Sequence, residues 1–552
     1  RGDFSLVIIS GNAGDGKTAF IQQFEATAEQ KGAQIKRGAN GAIFHLNGRT
    51  FQSNYDGSQD EGEERNGTVL EKFFFPFSGN VASWPKNETR LIAINEGRLV
   101  DFLQEHRENY SELAKLIEQG LDGVQIDECL AVINLNRRSV VAAETGKPSI
   151  LERLIKTMCA PENWASCEIC DIKNKCYAFH NARTFQDTVA GPKVLERLKH
   201  LYLITQLRGR LHITMRDIRS ALAFMLVGKL DCDGIHRLYL SGGEDNQNRI
   251  LGNFYFNSVF GGDGDTNDRL LGLLGEIDVA LPGNSDIDLE LDFLHPRVKM
   301  LNRFAFTKRA GYDDDLLESL FNELPRDYAS RERLHLFIKH RKYLTHLRRR
   351  YFFESRESQD NRPWEKMLPY AHVNQFLAVL NKSEQENQKD TISILEAMNR
   401  GEGLIDPKRL GARLALRIRQ VDKGTIRSYR LFDGRCFALI PESPESHHSF
   451  LEYYPQYLAL CYDSGSGHRA KLRINIDMYE MLMRLNSGYR ACIEEQEGFY
   501  LSFSVFKNIL SAVPYQEILL TENGYRFYRI DKEKNGVLSM MVYETEAEYN
   551  AD

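Results

Sequence analysis

The sequence has no long hydrophobic run and no excess of basic residues. No stretch approaches the roughly 18 consecutive apolar residues that a membrane-spanning helix needs, and no secretory signal peptide is present. The formal net charge is −6, so any contact with nucleic acid has to come from a local basic patch. These absences predict a cytoplasmic protein with no membrane partner.

The stretch LVIISGNAGDGKTAF, from Leu6 to Phe20, contains the most specific motif of the chain. It matches G-x-x-x-x-G-K-[ST], in which a buried strand leads into a glycine-rich loop and then into a helix. Main-chain N–H groups of such a loop surround phosphate, the lysine reaches the terminal phosphates, and the threonine holds Mg²⁺. The residues predicted to bind ATP are Asn12, Ala13, Gly14, Asp15, Gly16, Lys17, Thr18 and Ala19, with Thr18 as the Mg²⁺ ligand.

A polar pair follows the apolar run of RLIAINEGRL, Arg90 to Leu99, which we predict to be a strand. In open α/β sheets, the carboxyl ends of the strands face the ligand. ATP hydrolysis also needs a group that positions the attacking water. We therefore predict that Glu96 polarises this water and that Asn95 senses the γ-phosphate, although both residues can instead cap the strand. The usual Asp-Glu ending is absent, because Asn95 stands where Asp is expected.

Other carboxylates compete with Glu96 for a catalytic role. Asp127 and Glu128 follow a shorter apolar run that Gln125 interrupts. Three more acidic residues lie in NYDGSQDEGEE, a polar stretch that is typical of a solvated loop. These three residues are Asp56, Asp60 and Glu61.

Two further strands are predicted in the same region, at Ala42–Asn47 and Ala131–Val141. Arg137 or Arg138, near the polar end of the second one, can reach phosphate in its own subunit or in a neighbour. An ordinary surface arginine is an equally good interpretation.

The chain contains nine cysteines, four of them between Cys159 and Cys176. This clustering favours a metal site in a reducing cytosol over disulfides. Cys167 and Cys170 have the spacing of a zinc knuckle, and Cys176 and His180 are one helical turn apart. We predict that these four residues bind Zn²⁺, with Cys159 as an alternative to His180. An iron–sulfur cluster and free buried thiols are the competing interpretations.

Two helices with apolar residues at helical spacing follow, between about residues 190 and 245. Thr214 and Asp217 form a capping-box pattern at the start of the second helix. This helix resembles the lid helix of AAA+ ATPases, in which an arginine contacts the γ-phosphate, and Arg216 occupies that place. The resemblance implies that Arg216 lets ATP, but not ADP, close the lid, whereas a surface ion pair is the alternative.

A basic run, Leu336 to Phe353, is predicted to be a helix. Its composition suits contact with a phosphate backbone, although a solvated face over an aromatic core is commoner. The basic residues are Lys339, Arg341, Lys342, Arg348, Arg349 and Arg350. From about residue 405 the pattern changes to alternating strands around one helix, which predicts a separate α+β domain for docking a partner or nucleic acid.

Together these patterns predict an α/β P-loop NTPase domain with an AAA+ or STAND-like parallel sheet, a helical lid with a zinc knuckle, and a C-terminal α+β domain. The expected domains are 1–145 for nucleotide binding, 146–245 for the knuckle and lid, 246–404 for a mainly helical domain, and 405–552 for the α+β domain. The chain begins with Arg1 rather than Met, so we expect further sequence upstream.

The order of these segments resembles the DptF-type ATPases of phosphorothioation-dependent restriction systems, and related defence ATPases that are fused behind a protein kinase domain. The residues that carry the resemblance are the glycine loop, FHLN, LIAINEGRL, the cysteine knuckle and LMRLNSGYR. The resemblance implies an ATPase subunit of a bacterial anti-phage system. It assigns nucleotide binding to Gly14, Gly16, Lys17 and Thr18, and extends to Asn95. Asn47 stands where the DptF-type pattern tends to have Asp, so the resemblance does not assign the Mg²⁺ carboxylate.

Three functions are compatible with the sequence. The first is an ATPase that powers or gates a DNA-acting defence complex together with other defence subunits. The second is a signalling switch, in which ATP closes the lid, the protein oligomerises and an attached effector is activated. The third, a small-molecule P-loop kinase, ranks last because such kinases are usually compact and this chain is long.

Overall fold

The computed structural model describes most of the chain, and all structural statements below concern the described residues. These are 4–60, 65–123, 129–142, 147–262, 268–281, 285–292, 333–358, 361–404, 410–418, 426–442, 454–465, 467–489, 493–514, 517–522, 526–532 and 536–544. The chain forms two compact units. The first comprises Arg1–Gln206, Arg210–Pro369 and Ser443–Tyr454, and the second comprises Leu207–Gly209, Tyr370–Glu442 and Pro455–Asp552. The finer division into four domains stays a prediction.

A six-stranded mixed sheet is the centre of the first part of the chain. Its strands are β1 Leu6–Ser10, β2 Ile35–Gly38, β3 Gly41–Leu46, β4 Arg49–Asn54, β5 Glu88–Ile94 and β6 Leu130–Asn134. The spatial order is β2-β3-β4-β5-β1-β6. Strands β4, β5, β1 and β6 are parallel, whereas β2, β3 and β4 form antiparallel pairs. The prediction of a mixed α/β fold with a parallel sheet is confirmed at this level.

Strand β1 is apolar on both sides because helices cover both faces of the sheet. Ile8 and Ile92 are buried with the helices that follow β5. Ile9 and Ala93 point to the opposite face, where they pack with Ile21 of the first helix. A continuous apolar strand is therefore buried at the centre of the sheet, and its polar carboxyl end leads directly into the glycine-rich loop.

The helices of the first unit surround this sheet and then continue as a mainly helical region. Their bounds are α1 Lys17–Gln30, α2 Asn66–Phe74, α3 Glu96–Glu105, α4 Ser111–Leu121, α5 Ile150–Met158, α6 Tyr177–Gln186, α7 Ala190–Leu207, α8 Met215–Val227, α9 Cys232–Ser241, α10 Glu244–Gly252, α11 Tyr255–Ser258, α12 Arg269–Glu276, α13 Ser285–Asp292 and α14 Arg333–Glu354. Short 3₁₀ helices occupy Phe75–Phe77, Val81–Ser83, Leu135–Arg137, Pro161–Ile169 and Pro363–Met367. Within the described part of the chain, no helix is both long enough and apolar enough to span a membrane.

The second unit contains two antiparallel sheets and four helices among its described residues. Its helices are α15 Val373–Leu380, α16 Gln388–Gly401, α17 Ile476–Asn486 and α18 Ile493–Ser511, with a 3₁₀ helix at Gly434–Cys436. Its strands are β7 Arg413–Arg417, β8 Ile426–Asp433, β9 Phe437–Pro441, β10 Leu458–Asp463, β11 Arg469–Ile474, β12 Glu517–Glu522, β13 Arg526–Lys532 and β14 Leu538–Glu544. The sheets have the orders β11-β10-β9 and β14-β13-β12-β8-β7.

The last arginines of the basic helix α14 are engaged within the protein, whereas the sequence leaves open a contact with phosphate or a solvated face. Arg349 is buried and forms an ion pair of 2.6 Å with Asp278. Arg350 is also buried and pairs with Glu354 one turn further along the helix. A buried arginine needs a carboxylate partner, because an unpaired charge in the interior is costly. Arg348 likewise pairs with a carboxylate, Asp288, so these three side chains hold the helical region together.

Candidate functional site

The glycine-rich loop joins the end of β1 to the start of α1. Gly16 is the residue before the helix and has a φ of 88°, and Gly14 has a φ of 102°. Both values lie in the left-handed region, which side chains other than glycine adopt at a cost. Lys17 is the first residue of α1. The strand, loop and helix therefore follow one another as the motif predicts, with the N-terminus of α1 open to the loop.

The Lys17 ammonium group is surrounded by oxygen acceptors. It donates hydrogen bonds to the carbonyl oxygens of Gly11 at 2.7 Å and Asn12 at 2.8 Å, and to Asn95 Oδ1 at 3.0 Å. Burial lowers the pKa of Lys17, and Arg216 acts in the same direction, whereas Asp15 raises it. A half-buried ammonium at a helix N-terminus can pair with an anion that approaches the loop.

Thr18 points towards the segment that follows β4. Its Oγ1 donates a hydrogen bond of 2.9 Å to the carbonyl oxygen of Tyr55. Tyr55 in turn donates from its hydroxyl to the buried carboxylate of Glu25, at 2.7 Å. Burial, together with this hydrogen bond, raises the pKa of Tyr55 to about 12, so the hydroxyl stays a donor at neutral pH. This network holds the chain after β4 beside the start of α1.

Asp56 lies in the stretch that the sequence predicts to be a solvated loop. It follows β4 at the carboxyl end of the parallel strands, and its charge acts on Lys17. Its two oxygens accept hydrogen bonds of 2.9 Å from the backbone N–H of Ser58 and from Gln59 Nε2. The strand was missed because Arg49–Asn54 is short and polar, so the residues after it were interpreted as a solvated loop.

Asn47 lies at the opposite end of the parallel strands from the glycine loop. It has a φ of 50° in the turn between β3 and β4. Since β3 runs antiparallel to β4, this turn lies beside the amino ends of the parallel strands. Residue 47 therefore lies away from the glycine loop, whereas Asp56 lies near enough to Lys17 for its charge to act on it.

Asn95 and Glu96 lie where β5 ends and α3 begins. Asn95 Oδ1 accepts the hydrogen bond from Lys17 already described. Glu96 accepts a hydrogen bond of 2.7 Å from Asn136 Nδ2. Asn136 belongs to the 3₁₀ turn after β6, and its Oδ1 accepts from the backbone N–H of Asn12 at 3.1 Å. The ends of β5 and β6 thus contact the glycine loop from one side, with the pair Asn95-Glu96 where the sequence places it.

The glycine loop is held in shape by Asp15, which is almost fully buried. Asp15 Oδ2 accepts a hydrogen bond of 2.7 Å from the backbone N–H of Asn12, and Oδ1 lies 3.4 Å from His212 Nε2. Arg138 donates to the carbonyl oxygen of Asp15 at 2.8 Å. Arg138 therefore contacts the loop itself, whereas Arg137 donates to the carbonyl oxygen of Leu121 at 2.8 Å.

Helix α8 begins directly over the glycine loop. Thr214 caps the helix through a capping box with Asp217, which confirms the predicted pattern. A Cβ atom on Gly14 would lie 2.7 Å from Arg216 Cβ and 3.1 Å from Thr214 Oγ1. The backbone of the loop and the first turn of α8 are therefore in close contact. The side chain of Arg216 is exposed, and its charge acts on Lys17.

The structure brings most of the predicted nucleotide residues together. Lys17, Thr18, Asn95, Glu96 and Arg216 lie around one loop, where backbone N–H groups, two cationic groups and a hydroxyl can contact an anion. Asn12, Ala13 and Ala19 are exposed at the same loop. The competing carboxylates Asp127, Glu128 and Glu61 lie outside the described residues.

The structure does not bring all four predicted metal ligands together. Cys167 lies in the 3₁₀ helix Pro161–Ile169, Cys170 follows it, and Cys176 is the residue before α6. His180 is buried in α6, where its ring packs against Phe254 at 5.1 Å. Among the described residues, one group of three potential ligand atoms lies within 4.8 Å of one another; it contains Cys170, Asp171 and His236, and not Cys167, Cys176 or His180.

Comparisons with known proteins identify no relative for the chain. No protein-family model matches it, and neither does any curated protein or solved structure. A functional interpretation therefore depends on the geometry around the glycine loop and on the resemblance that the sequence motifs carry.

Proposed function

We propose that this chain binds Mg²⁺-ATP in the loop Gly11–Thr18 and hydrolyses it. The observation that carries the proposal is the position of Lys17. Its ammonium group lies at the N-terminus of α1, between a positive-φ glycine loop and Asn95. A buried strand, a curled loop and a helix N-terminus in this order form the phosphate-binding arrangement of P-loop enzymes.

Each neighbouring side chain takes one part of the reaction. Lys17 pairs with the terminal phosphates, while Thr18 and Asp56 hold Mg²⁺ directly or through water. Glu96 polarises the attacking water, and Asn95 accepts from Lys17 and contacts the γ-phosphate. ATP is the nucleotide that the resemblance to DptF-type ATPases implies.

The wider role of this activity follows from the same resemblance. We infer that the chain is the ATP-hydrolysing subunit of a bacterial anti-phage defence system, in which the nucleotide cycle drives or gates a DNA-acting complex. Its partners are then other defence subunits, further copies of itself, or DNA. Arg348, Arg349 and Arg350 do not support the DNA contact, since all three are engaged in ion pairs.

The contact between α8 and the glycine loop favours a second candidate function. Gly14 lies against Arg216 and Thr214, so the presence of a γ-phosphate can change how closely the helix approaches the loop. In this alternative the chain is a switch: ATP closes the lid, the protein assembles, and a partner effector such as an upstream kinase becomes active.

The Lys17→Ala variant tests the nucleotide site. We expect loss of ATP binding or at least about a 100-fold loss of turnover, because the phosphate charge loses its ammonium partner. Binding is measured with a fluorescent ATP analogue in Mg²⁺ buffer, and turnover by phosphate release. Lys31→Ala is the matched control, because Lys31 is exposed at the other end of the same helix.

Normal ATP turnover by a folded Lys17→Ala protein would contradict the proposed site. A wild-type protein that binds no nucleoside triphosphate would contradict the function as a whole. The defence role is tested separately, by comparing phage plaque counts on cells that carry the wild-type or the Lys17→Ala gene among its native neighbouring genes. Equal protection by the two genes would contradict that role.

A further inference from the structure

The cysteine segment and helix α9 come together although more than one helix separates them in sequence. Tyr239 of α9 donates a hydrogen bond of 2.6 Å to the carbonyl oxygen of Lys175 and accepts one of 2.9 Å from the backbone N–H of Tyr177. The two tyrosine rings also stack, with centroids 6.5 Å apart. These contacts place α9 beside the segment that carries the cysteines.

Two metal-binding side chains, a cysteine and a histidine, meet at this junction. Cys170 Sγ lies 3.4 Å from His236 Nε2. The ligand atoms of Cys170, Asp171 and His236 all lie within 4.8 Å of one another. For tetrahedral Zn²⁺ with bonds of about 2.3 Å to sulfur and about 2.0 Å to nitrogen, the two ligand atoms are about 3.5 Å apart. The observed distance therefore fits a shared metal ion.

Asp171 lies beside both of these side chains. Its Oδ1 lies 3.6 Å from Cys170 Sγ and 3.7 Å from His236 Nδ1. Carboxylates close to a metal-binding histidine help to orient its ring. Asp171 therefore adds an acidic group next to the cysteine and histidine pair.

Two further thiols lie near this pair. The backbone N–H of Cys170 donates a hydrogen bond of 3.3 Å to the carbonyl oxygen of Cys167, so a tight turn brings these two cysteines together. Cys176 lies between Lys175 and Tyr177, which both contact Tyr239 of α9. These backbone contacts hold three cysteines in the segment beside α9, where a divalent cation would stabilise their thiolates.

We propose that Cys167, Cys170, Cys176 and His236 form a tetrahedral zinc site that joins the cysteine segment to helix α9. Cys232 is exposed at the start of α9, one turn before His236, and is the competing ligand that the Cys232→Ser variant tests. His180, which the sequence spacing favoured, packs against the Phe254 ring instead. Three thiolates with one imidazole are a common structural zinc set, and all four positions are filled by the protein.

The proposed zinc site fixes helix α9 to the cysteine segment. Helix α9 follows α8, whose first turn contacts Gly14 of the glycine loop. The zinc ion therefore holds α9 to the cysteine segment while α8 approaches or leaves the nucleotide. This inference does not depend on the proposed ATPase activity, because the four ligands lie outside the glycine loop.

Metal analysis of the full chain tests the proposal. The protein is purified with a tag that contains no histidine, and metals are measured by mass spectrometry after gel filtration. We expect about one zinc ion per chain, which His236→Ala and Cys170→Ser reduce several-fold. His180→Ala, Cys232→Ser and the distant control Cys436→Ser should keep it, and Lys17→Ala should keep it too, whatever its ATPase rate.

Cobalt substitution keeps the test independent of variants that fail to fold. Wild-type protein loaded with Co²⁺ should show the thiolate charge-transfer absorption and the strong visible bands of a tetrahedral site. His236→Cys should retain the metal with a shifted spectrum, because a fourth thiolate replaces the imidazole. A wild-type protein without metal, one with iron and visible colour, or zinc retained by His236→Ala and lost by Cys232→Ser or His180→Ala would overturn the proposal.

Discussion

At the scale of single residues, the candidate site depends on a few charged groups that are held by backbone contacts. Lys17 is fixed by two carbonyl oxygens and Asn95, and Thr18 by the carbonyl oxygen of Tyr55. Asp56 lies on the segment that Thr18 contacts. Because these groups are positioned before any ligand arrives, they lose little freedom on binding it.

We expect Asp56→Asn to raise the Mg²⁺ concentration needed for half-maximal ATP hydrolysis by about 10-fold or more. The amide keeps the shape of the side chain but removes the charge that attracts the cation. Hydrolysis is measured across a Mg²⁺ titration. Asp60→Asn is the control, because Asp60 lies in the same loop and is exposed. An unchanged Mg²⁺ requirement in Asp56→Asn would place the carboxylate elsewhere.

We expect Glu96→Gln to bind ATP with unchanged affinity and to hydrolyse it about 100-fold more slowly. The glutamine side chain can still accept the hydrogen bond from Asn136, which is 2.7 Å in the wild-type protein, but it cannot accept a proton from water. Binding and single-turnover hydrolysis are measured separately. Glu105→Gln, on the same helix, should behave like the wild type. Wild-type hydrolysis by Glu96→Gln would shift the catalytic role first to Asp127 and Glu128.

At the scale of elements, the contact between the glycine loop and α8 links nucleotide binding to the helical region. The capping box of Thr214 and Asp217 fixes where the helix begins. This start places Arg216 next to the loop. The two segments are so close that a Cβ atom on Gly14 would lie 2.7 Å from Arg216 Cβ. A glycine at this position therefore serves both the loop conformation and the approach of the helix.

We expect Gly14→Ala to lower nucleotide affinity by at least about 10-fold, or roughly 1.4 kcal/mol. The added methyl group would lie 2.7 Å from Arg216 Cβ, and the backbone at residue 14 has a φ of 102°, which alanine adopts at a cost. Gly32→Ala separates the two effects, because Gly32 has a φ of 92° and nothing within 4 Å of the added atom. Nucleotide titration and thermal melting of both variants provide the comparison. Equal losses in the two variants would show that the contact with α8 has no part in binding.

At the scale of the whole molecule, the chain forms two compact units, and the proposed chemistry lies in the first. The second unit has antiparallel sheets and several exposed apolar side chains, among them Leu501 and Met540. Its described residues include no second glycine loop with a following lysine. That the second unit docks a partner stays a prediction.

We expect ATP hydrolysis to rise when DNA is added and the rise to decline steeply with salt, if the chain acts within a DNA-directed complex. The rate is measured with and without DNA over a salt series, and particle mass with and without ATP. Slow turnover that ignores DNA, together with ATP-dependent assembly, would instead support the signalling switch. If DNA does not change hydrolysis and ATP does not change particle mass, both roles are contradicted, although the ATPase activity itself is not.

The nucleotide loop and the cap of α8 could be predicted from sequence because both depend on contacts within a few residues. A strand, a positive-φ loop and Lys17 are adjacent in the chain, as are Thr214 and Asp217. The bounds of β5 were harder, because the predicted strand to Leu99 continues in the structure as helix α3 from Glu96. Likewise, β6 ends at Asn134 rather than at Val141.

Only the tertiary structure brought Asp56 to Lys17, His236 to Cys170 and Asp278 to Arg349. Each pair joins elements that are distant in sequence, so its distance depends on strand order and on how helices pack. The short polar strand β4 carries no periodic apolar pattern, and its place beside β5 makes Asp56 a neighbour of the loop. Local sequence determines which groups can do chemistry, whereas packing between distant elements determines which of them meet.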